Sequence, residues 1–256
     1  MDLGLRGKVA IVTGGSRGIG RAIALALADE GCAVAISARG REGLDRTVEE
    51  IRGLGVPALG VVGDMTRVAD VERLFGEAVA RLGGVDVLVN NVGGSRGGRL
   101  QDSSDEDFIE AHTANFMAAV RASRLAVPEM RKRGGGRIIT ISSIWGREAG
   151  GTAPYNAAKA AEISLSKSLA KELAMDGILV NTVAPGSILF PGGGWERRRN
   201  ADPGEMADFV KREMPLGRFG RPEEVAAVVV FLASERASLV TGACIPVDGC
   251  QTRSNI

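Results

Sequence analysis

The glycine-rich segment of this chain reads Thr13-Gly14-Gly15-Ser16-Arg17-Gly18-Ile19-Gly20. An apolar run at residues 9–12 precedes it, and apolar residues at helical spacing follow it, namely Ile19, Ala22, Ile23, Ala26 and Leu27. The local order is therefore strand, glycine turn and helix. In that order the glycines let the backbone approach a pyrophosphate, and the helix N-terminus supplies N–H donors and positive potential. The segment thus favours a dinucleotide-binding turn over a purely structural one.

Short apolar runs and helical periodicities alternate along the rest of the chain. Runs typical of strands lie at residues 33–37, 58–62, 85–89, 137–141, 178–183 and 243–247, and helical patterns lie near residues 44–51, 68–79, 104–133, 155–175 and 222–234. This alternation predicts an α/β fold: a doubly wound, Rossmann-type parallel sheet with helices on both faces. Because there is no internal repeat and no Pro/Ser-rich linker, residues 1–256 are predicted to form one dinucleotide-binding domain.

Residues 187–215 interrupt the alternation. They contain Pro191-Gly192-Gly193-Gly194 and the basic run Arg197-Arg198-Arg199-Asn200. So long a segment outside the sheet is typical of a substrate lid or binding loop. The arginine run is usually a solvated surface, but beside a lid it could meet an acidic group of a substrate.

Charge and cysteine content narrow the function classes. The chain has 32 Lys plus Arg against 31 Asp plus Glu, so its net charge of +1 gives no general argument for nucleic acid or an anionic membrane. Its apolar runs are far shorter than the ~20 residues of a membrane span, and no leader precedes Gly7. The three cysteines lack CxxC spacing, which argues against a disulfide framework or a metal site. A soluble, cytoplasmic protein that binds small molecules is expected.

Tyr155 and Lys159 are four residues apart within a predicted helix. That spacing places the phenol and the ammonium on one helix face, where the cation can favour the phenolate. With the glycine turn, the pair indicates an enzyme that transfers a hydride.

The residues after the second predicted strand bear on the choice of cofactor. A carboxylate there would take the ribose 2′-OH of NAD, but the chain reads Ser37-Ala38-Arg39. Arg39 and Arg17 could instead converge on a 2′-phosphate, which matches guanidinium geometry. The alternative is two solvated surface arginines. NADP(H) is therefore the predicted cofactor, with NAD(H) possible.

Several motifs in order resemble the short-chain dehydrogenase/reductase family, of the compact single-domain type. The resemblance covers residues 8–248 and includes the glycine segment, Gly63-Asp64-Met65, Asn90-Asn91-Val92-Gly93, Asn115, Ile141-Ser142-Ser143, the Tyr155/Lys159 pair, Asn181-Thr182-Val183-Ala184-Pro185-Gly186 and Thr241-Gly242…Val247-Asp248-Gly249. The resemblance implies a catalytic tetrad of Asn115, one serine, Tyr155 and Lys159.

Two adjacent serines compete for the tetrad position. The position within the motif favours Ser143, whereas the family's commonest interval back from Tyr155 leads to Ser142. Only one can face the substrate, because side chains of a strand alternate between its faces. A shorter loop before Tyr155 reconciles the two counts, and we predict Ser143.

The resemblance also implies a cofactor-binding set and a substrate wall. Cofactor contacts are expected from Gly14, Ser16, Arg17, Gly18, Ile19, Gly20, Arg39, Asp64, Met65, Asn91, Gly93, Tyr155, Lys159, Pro185, Gly186 and Ile188, with Asp64 and Met65 flanking the adenine. Substrate contacts are expected from Ser143, Tyr155, Trp145 and Trp195, although ordinary burial accounts for the two tryptophans equally well. Phe190 departs from the family, which often has Thr there, and its presence is expected to weaken cofactor binding.

The resulting hypothesis is an NADP(H)-dependent oxidoreductase that interconverts a carbonyl and a secondary alcohol, similar to 3-oxoacyl-carrier-protein reductases. The alternatives are an NAD-dependent dehydrogenase of a sugar, steroid or small alcohol, and a cofactor-binding regulator without turnover. The resemblance further implies a homotetramer, with residues 251–256 ordered only where a neighbouring subunit covers them.

Overall fold

A parallel sheet of seven strands forms the centre of the protein, which is described here by a computed structural model of residues 2–255. The strands are β1 (Val9–Val12), β2 (Ala33–Ala38), β3 (Ala58–Val62), β4 (Val87–Asn90), β5 (Gly136–Ile141), β6 (Ile178–Pro185) and β7 (Cys244–Val247). They lie in the order β3-β2-β1-β4-β5-β6-β7, and every neighbouring pair is parallel. The prediction of a doubly wound parallel sheet is confirmed.

Helices cover both faces of the sheet. They are α1 (Gly18–Asp29), α2 (Arg41–Gly53), α3 (Val68–Leu82), α4 (Asp105–His112), α5 (Ala118–Lys132), α6 (Ala153–Leu173), α7 (Gly194–Ala201), α8 (Pro203–Glu213) and α9 (Pro222–Ala233). No helix within residues 2–255 combines the length and apolar character needed to cross a bilayer.

Two apolar clusters hold the helices to the sheet. Helices α1, α2 and α9 contribute to one cluster, and α3, α5 and α6 contribute to the other. Strand β1 contributes side chains to both clusters. Ala10 and Val12 pack in the first cluster, and Ile11 between them packs in the second, because successive side chains of a strand point to opposite faces of the sheet. A strand buried on both faces reads as a continuous apolar run, which is why residues 9–12 show no polar alternation.

Two segments differ from the sequence-based expectations. The single helix expected near residues 104–133 is divided by a π-helical turn, Thr113–Met117, between α4 and α5. The segment at 187–215, expected to be irregular, contains the two short helices α7 and α8. Asn115 of the π-helical turn contacts Gly94, and Trp195 of α7 stacks on Phe209 of α8.

Candidate active site

The glycine turn lies where the strand order reverses. Strand β1 sits between β2 and β4, so the crossovers on its two sides run in opposite directions. In open α/β sheets, ligands bind beyond the carboxyl ends of the strands at this point. The turn between β1 and α1 occupies that position.

The turn fits the pyrophosphate of a dinucleotide. Gly14 and Gly18 have φ of +70° and +55°, in the left-handed region that other residues rarely adopt. No side chain caps the first turn of α1, and no acidic residue lies there. The N-terminal N–H groups of α1 are therefore free to bind an anion. The Asn91 amide fixes the turn by donating to Thr13 O at 2.9 Å and Gly14 O at 3.1 Å.

The two arginines predicted near a 2′-phosphate have different surroundings. Arg39 follows β2, is exposed, and makes no hydrogen bond or ion pair with the described part of the chain. Arg17 instead donates from Nη1 to Gly192 O of the segment at 187–215, at 3.3 Å. Arg39 is thus available to a ligand, whereas Arg17 already contacts the segment at 187–215.

Two residues expected beside the adenine, Asp64 and Met65, follow β3. Asp64 Oδ1 accepts hydrogen bonds from Thr66 N at 2.9 Å and Thr66 Oγ1 at 2.8 Å. Met65 is 2% exposed and packs in the second apolar cluster. Its backbone, rather than its side chain, is therefore the part that a ligand at this edge can reach.

Tyr155 and Lys159 lie on one face of α6, as their spacing predicts. Lys159 is 3% exposed, and its Nζ lies 5.7 Å from the centroid of the Tyr155 ring. The ammonium donates to Ile141 O at the end of β5, at 2.9 Å. The two functional groups are therefore near each other at the carboxyl edge of the sheet.

The two serines have different hydrogen bonds. Ser142 Oγ donates to the backbone oxygen of Lys159 at 2.8 Å, which ties α6 to the end of β5. Ser143 Oγ accepts a hydrogen bond from Trp145 N at 3.1 Å, at the start of a short 3-10 turn. Ser143 Oγ donates to no acceptor within residues 2–255, so its hydroxyl hydrogen is available for a substrate oxygen.

Asn115 and Lys159 approach the same glycine. Asn115 lies in the π-helical turn, where its Nδ2 donates to Ala111 O at 2.7 Å and to Gly94 O at 3.1 Å. A Cβ at residue 93 would collide with Asn115 Oδ1 and lie 3.1 Å from Lys159 Nζ. Only glycine at this position lets both side chains reach the end of β4. The π-helical turn, common at functional sites, widens the helix to place Asn115 there.

Phe190 packs on the glycine turn. A Cβ at Gly18 would lie 2.7 Å from Cε2 of the Phe190 ring. The aromatic ring therefore covers part of the turn from the lid side. A dinucleotide bound at the turn would have this ring as a neighbour.

The tryptophans predicted as substrate contacts both have partners within the chain. Trp195 stacks on Phe209 at a centroid distance of 4.8 Å and lies 5.4 Å from Phe219, so it joins α7 to α8. The Trp145 ring packs against the backbone at Gly150, in the loop between Ser143 and Tyr155. Aromatic packing thus joins the two helices of the segment at 187–215.

The C-terminal tail is held by its own chain. Gln251 is buried, accepts a hydrogen bond from Ser187 N at 2.9 Å and donates to Ser187 Oγ at 3.0 Å. The Glu148 carboxylate accepts from the backbone N–H groups of Arg253 and Ser254. The tail therefore has contacts within its own subunit; that it is ordered only under a neighbouring subunit stays a prediction, and Ile256 lies outside the described residues.

Sequence reasoning missed one residue of this site. Glu162 is 1% exposed and contacts Lys159 Nζ at 3.0 Å. Its position three residues after Lys159 was the available signal. A lysine and a glutamate three residues apart also form ion pairs on helix surfaces. The burial of both Lys159 and Glu162 is what distinguishes this pair from a surface pair, and the spacing does not reveal it.

The sequence is similar to known oxidoreductases over most of its length. The family model described as Enoyl-(Acyl carrier protein) reductase matches residues 14–252. The 3-oxoacyl-[acyl-carrier-protein] reductase of Staphylococcus aureus (strain N315) is 38% identical, over 94% of this chain and 97% of that protein. Dehydrogenase/reductase SDR family member 4 of Mus musculus is 37% identical, over 96% of this chain and 87% of that protein.

Solved structures show the same architecture. L-sorbose reductase from Gluconobacter frateurii, complexed with NADPH and L-sorbose, has a TM-score of 0.94 and 36% identity, with 99% of this chain and 100% of that chain covered. A 7α-hydroxysteroid dehydrogenase complexed with NADH and 7-oxo glycochenodeoxycholic acid has a TM-score of 0.91 and 33% identity, with 99% and 97% covered. The likeness thus extends over almost the whole chain.

Proposed function

This chain belongs to the short-chain dehydrogenase/reductase family of oxidoreductases, and within that family we propose that it is an NADP(H)-dependent enzyme that interconverts a carbonyl and a secondary alcohol. The observation that carries the proposal is the grouping of Tyr155, Lys159 and Ser143 at the carboxyl edge of the sheet, beside a glycine turn suited to a pyrophosphate. We further propose that the chain is one domain with its lid at about 187–215.

Tyr155 is proposed to exchange the proton. A nicotinamide cofactor supplies or accepts the hydride, and the protein supplies geometry and electrostatics. A free tyrosine has a pKa near ~10, so a nearby cation is needed to favour the phenolate. The Lys159 ammonium, 5.7 Å from the ring centroid, is that cation. Tyr155 then gives its proton to the substrate oxygen in reduction and takes it back in oxidation.

Ser143 and Asn115 are proposed to support this exchange in different ways. The free hydroxyl hydrogen of Ser143 would bond the carbonyl oxygen as negative charge develops there. Asn115 would hold the backbone at Gly94 and, as the family resemblance implies, anchor a water that relays protons to Lys159. Lys159 would also hold the nicotinamide ribose.

NADP(H) is the proposed cofactor because of the residues around the end of β2. Residues 39–41, which directly follow that strand, include no carboxylate, and the exposed Arg39 guanidinium can bind a 2′-phosphate. The relatives leave the choice open, because one neighbour was solved with NADPH and the other with NADH.

Arg39→Asp should reverse this preference. Loss of a charge-assisted contact worth roughly 1.5–3 kcal/mol should lower kcat/KM with NADPH by about 10- to 100-fold, while kcat/KM with NADH changes little. Steady-state kinetics with both cofactors measure the ratio. Arg6→Asp is the matched control, because Arg6 is also exposed but precedes β1 at the opposite edge of the sheet. Better use of NADH by the wild-type protein would overturn the assignment.

The substrate class is proposed to be a 3-oxoacyl thioester. The exposed arginines at residues 197–199 of the lid suit an acidic carrier group, and the relatives include 3-oxoacyl-carrier-protein reductases. The runner-up is an NAD-dependent dehydrogenase of a sugar, steroid or small alcohol, since one structural neighbour binds L-sorbose and the other a steroid. A panel of a 3-oxoacyl thioester, a ketose and a 7-oxo steroid, each with NADPH and NADH, separates these. Cofactor binding without turnover of any of the three substrates would favour the regulator.

Assembly is proposed to be tetrameric, in the cytoplasm. Phe231 on α9 is 42% exposed and Leu239 is 96% exposed, which leaves apolar surface for a partner. The family resemblance implies interfaces formed by the C-terminal segment, α5 and α6. Light scattering should give a mass near that of four chains. A stable monomer at micromolar concentration would contradict the tetramer and leave the catalytic proposal intact.

A further inference from the structure

A buried carboxylate contacts the ammonium of Lys159. Lys159 Nζ donates to Glu162 Oε1 at 3.1 Å and Oε2 at 3.0 Å, and its other acceptor is Ile141 O at 2.9 Å. The side chains of Lys159 and Glu162 are 4% and 2% exposed. This is therefore a desolvated ion pair, in which Coulomb interactions are much stronger than at a surface.

The surroundings of Glu162 contain one charged partner. Burial raises the pKa of the Glu162 carboxyl from 4.5 to about 7, and the main opposing influence is the Lys159 ammonium on the same helix. The carboxylate form therefore prevails above neutral pH, and in that form it offsets the charge of the adjacent ammonium. Tyr155, on the same helix, is the next ionisable group along this face.

We propose that Glu162 is a positioning residue: its carboxylate fixes the Lys159 ammonium and offsets part of its charge, so that Tyr155 keeps its proton to higher pH and can donate it to a carbonyl oxygen. The inference rests on the proposed function, because it concerns the protonation of Tyr155, the proposed proton donor. Its physical basis is that a phenol near an ion pair senses less positive charge than a phenol near a lone ammonium.

Glu162→Gln tests the sign of this effect. The amide keeps the shape and one acceptor for Lys159 Nζ but has no negative charge. While Lys159 is charged, loss of the Glu162 carboxylate leaves the phenol facing an uncompensated ammonium. Tyr155 in the variant should then sense the full cation and ionise at lower pH than in the wild type.

Tyr155 can be followed directly because it is the only tyrosine of the 256-residue chain. The near-ultraviolet absorbance of tyrosinate, titrated against pH, reports on this one side chain without substrate, cofactor or turnover. The midpoint in Glu162→Gln should lie lower than in the wild type by about one pH unit. Glu172→Gln, an exposed carboxylate on the same helix, should leave the midpoint unchanged. Glu162→Asp, which retains the charge, should titrate close to the wild type.

A second pair of variants covers the case in which Glu162→Gln does not fold. Lys159→Met and Lys159→Met/Glu162→Leu repeat the comparison without a buried ammonium, and removal of the carboxyl should again lower the midpoint. An unchanged midpoint in both comparisons would overturn the proposal. So would a higher midpoint, because it would mean that Glu162 serves to keep Lys159 charged. Failure of the proposed function would appear separately, as absence of NADPH-dependent turnover in the wild type.

Discussion

Tyr155→Phe is expected to bind NADPH almost as the wild type does and to lose between about 10²- and 10⁴-fold in kcat, the usual contribution of a positioned proton donor. The phenyl ring retains the packing of the tyrosine, so the proposed contacts of Lys159 with the cofactor should remain. Only the transferable proton is removed. The effect should therefore fall on kcat and kcat/KM together, which is the signature of an interaction made in the transition state.

A fluorescence titration with NADPH and steady-state reduction of the best carbonyl substrate measure the two quantities on the same preparation. Ser166→Ala is the matched control, because Ser166 also lies on α6 with a buried hydroxyl that is 11 residues from Tyr155. It should retain both binding and turnover. Ordinary turnover in Tyr155→Phe would remove the proposed proton donor from the mechanism.

The parts of the fold that could be predicted from the sequence depend on local patterns. The run at residues 9–12 is continuously apolar because β1 is buried on both faces, and the glycine turn that follows leads directly into α1. The shared face of Tyr155 and Lys159 follows from helical geometry alone. These features need no knowledge of what packs against them.

The features that could not be predicted depend on partners distant in sequence. The π-helical turn exists where Asn115 reaches Gly94 O, 21 residues away. The helices of the lid segment depend on the stacking of Trp195 with Phe209 and Phe219, and Arg17 binds Gly192 O across 175 residues. The C-terminal tail also depends on a distant contact, because Gln251 accepts a hydrogen bond from Ser187 N, 64 residues away in sequence. No periodicity within a short window contains such contacts.

The choice between the two serines combines both kinds of information. The motif position favours Ser143, whereas the interval back from Tyr155 favours Ser142. Side chains alternate along a strand, so only one of the two can face the substrate, but alternation does not identify which one. The hydrogen bonds separate the two residues, because Ser142 Oγ donates to Lys159 O while Ser143 Oγ only accepts. The proposed role of Ser143 therefore depends on its hydroxyl hydrogen, which has no acceptor among the described residues and can be donated to a substrate oxygen.

Ser143→Ala is accordingly expected to lower kcat by about 10²- to 10³-fold, the loss typical for one donor to a developing oxyanion. Ser142→Ala should lower kcat by less than about tenfold, because it removes a structural hydrogen bond whose net value is about 1 kcal/mol. Thermal unfolding should show the opposite ranking. Ser142→Ala should have the lower Tm, since its hydroxyl ties α6 to β5, whereas Ser143→Ala should unfold close to the wild type.

The two variants control for each other, because each removes one buried hydroxyl from adjacent positions of the same strand end. Kinetics and unfolding on both give four values that a single structural disturbance cannot reproduce. A larger loss of kcat in Ser142→Ala would mean that the Ser142 hydroxyl turns away from Lys159 O in the working enzyme. In that case the interval from Tyr155 identifies the substrate-facing serine, and the hydrogen bond at 2.8 Å must break on substrate binding.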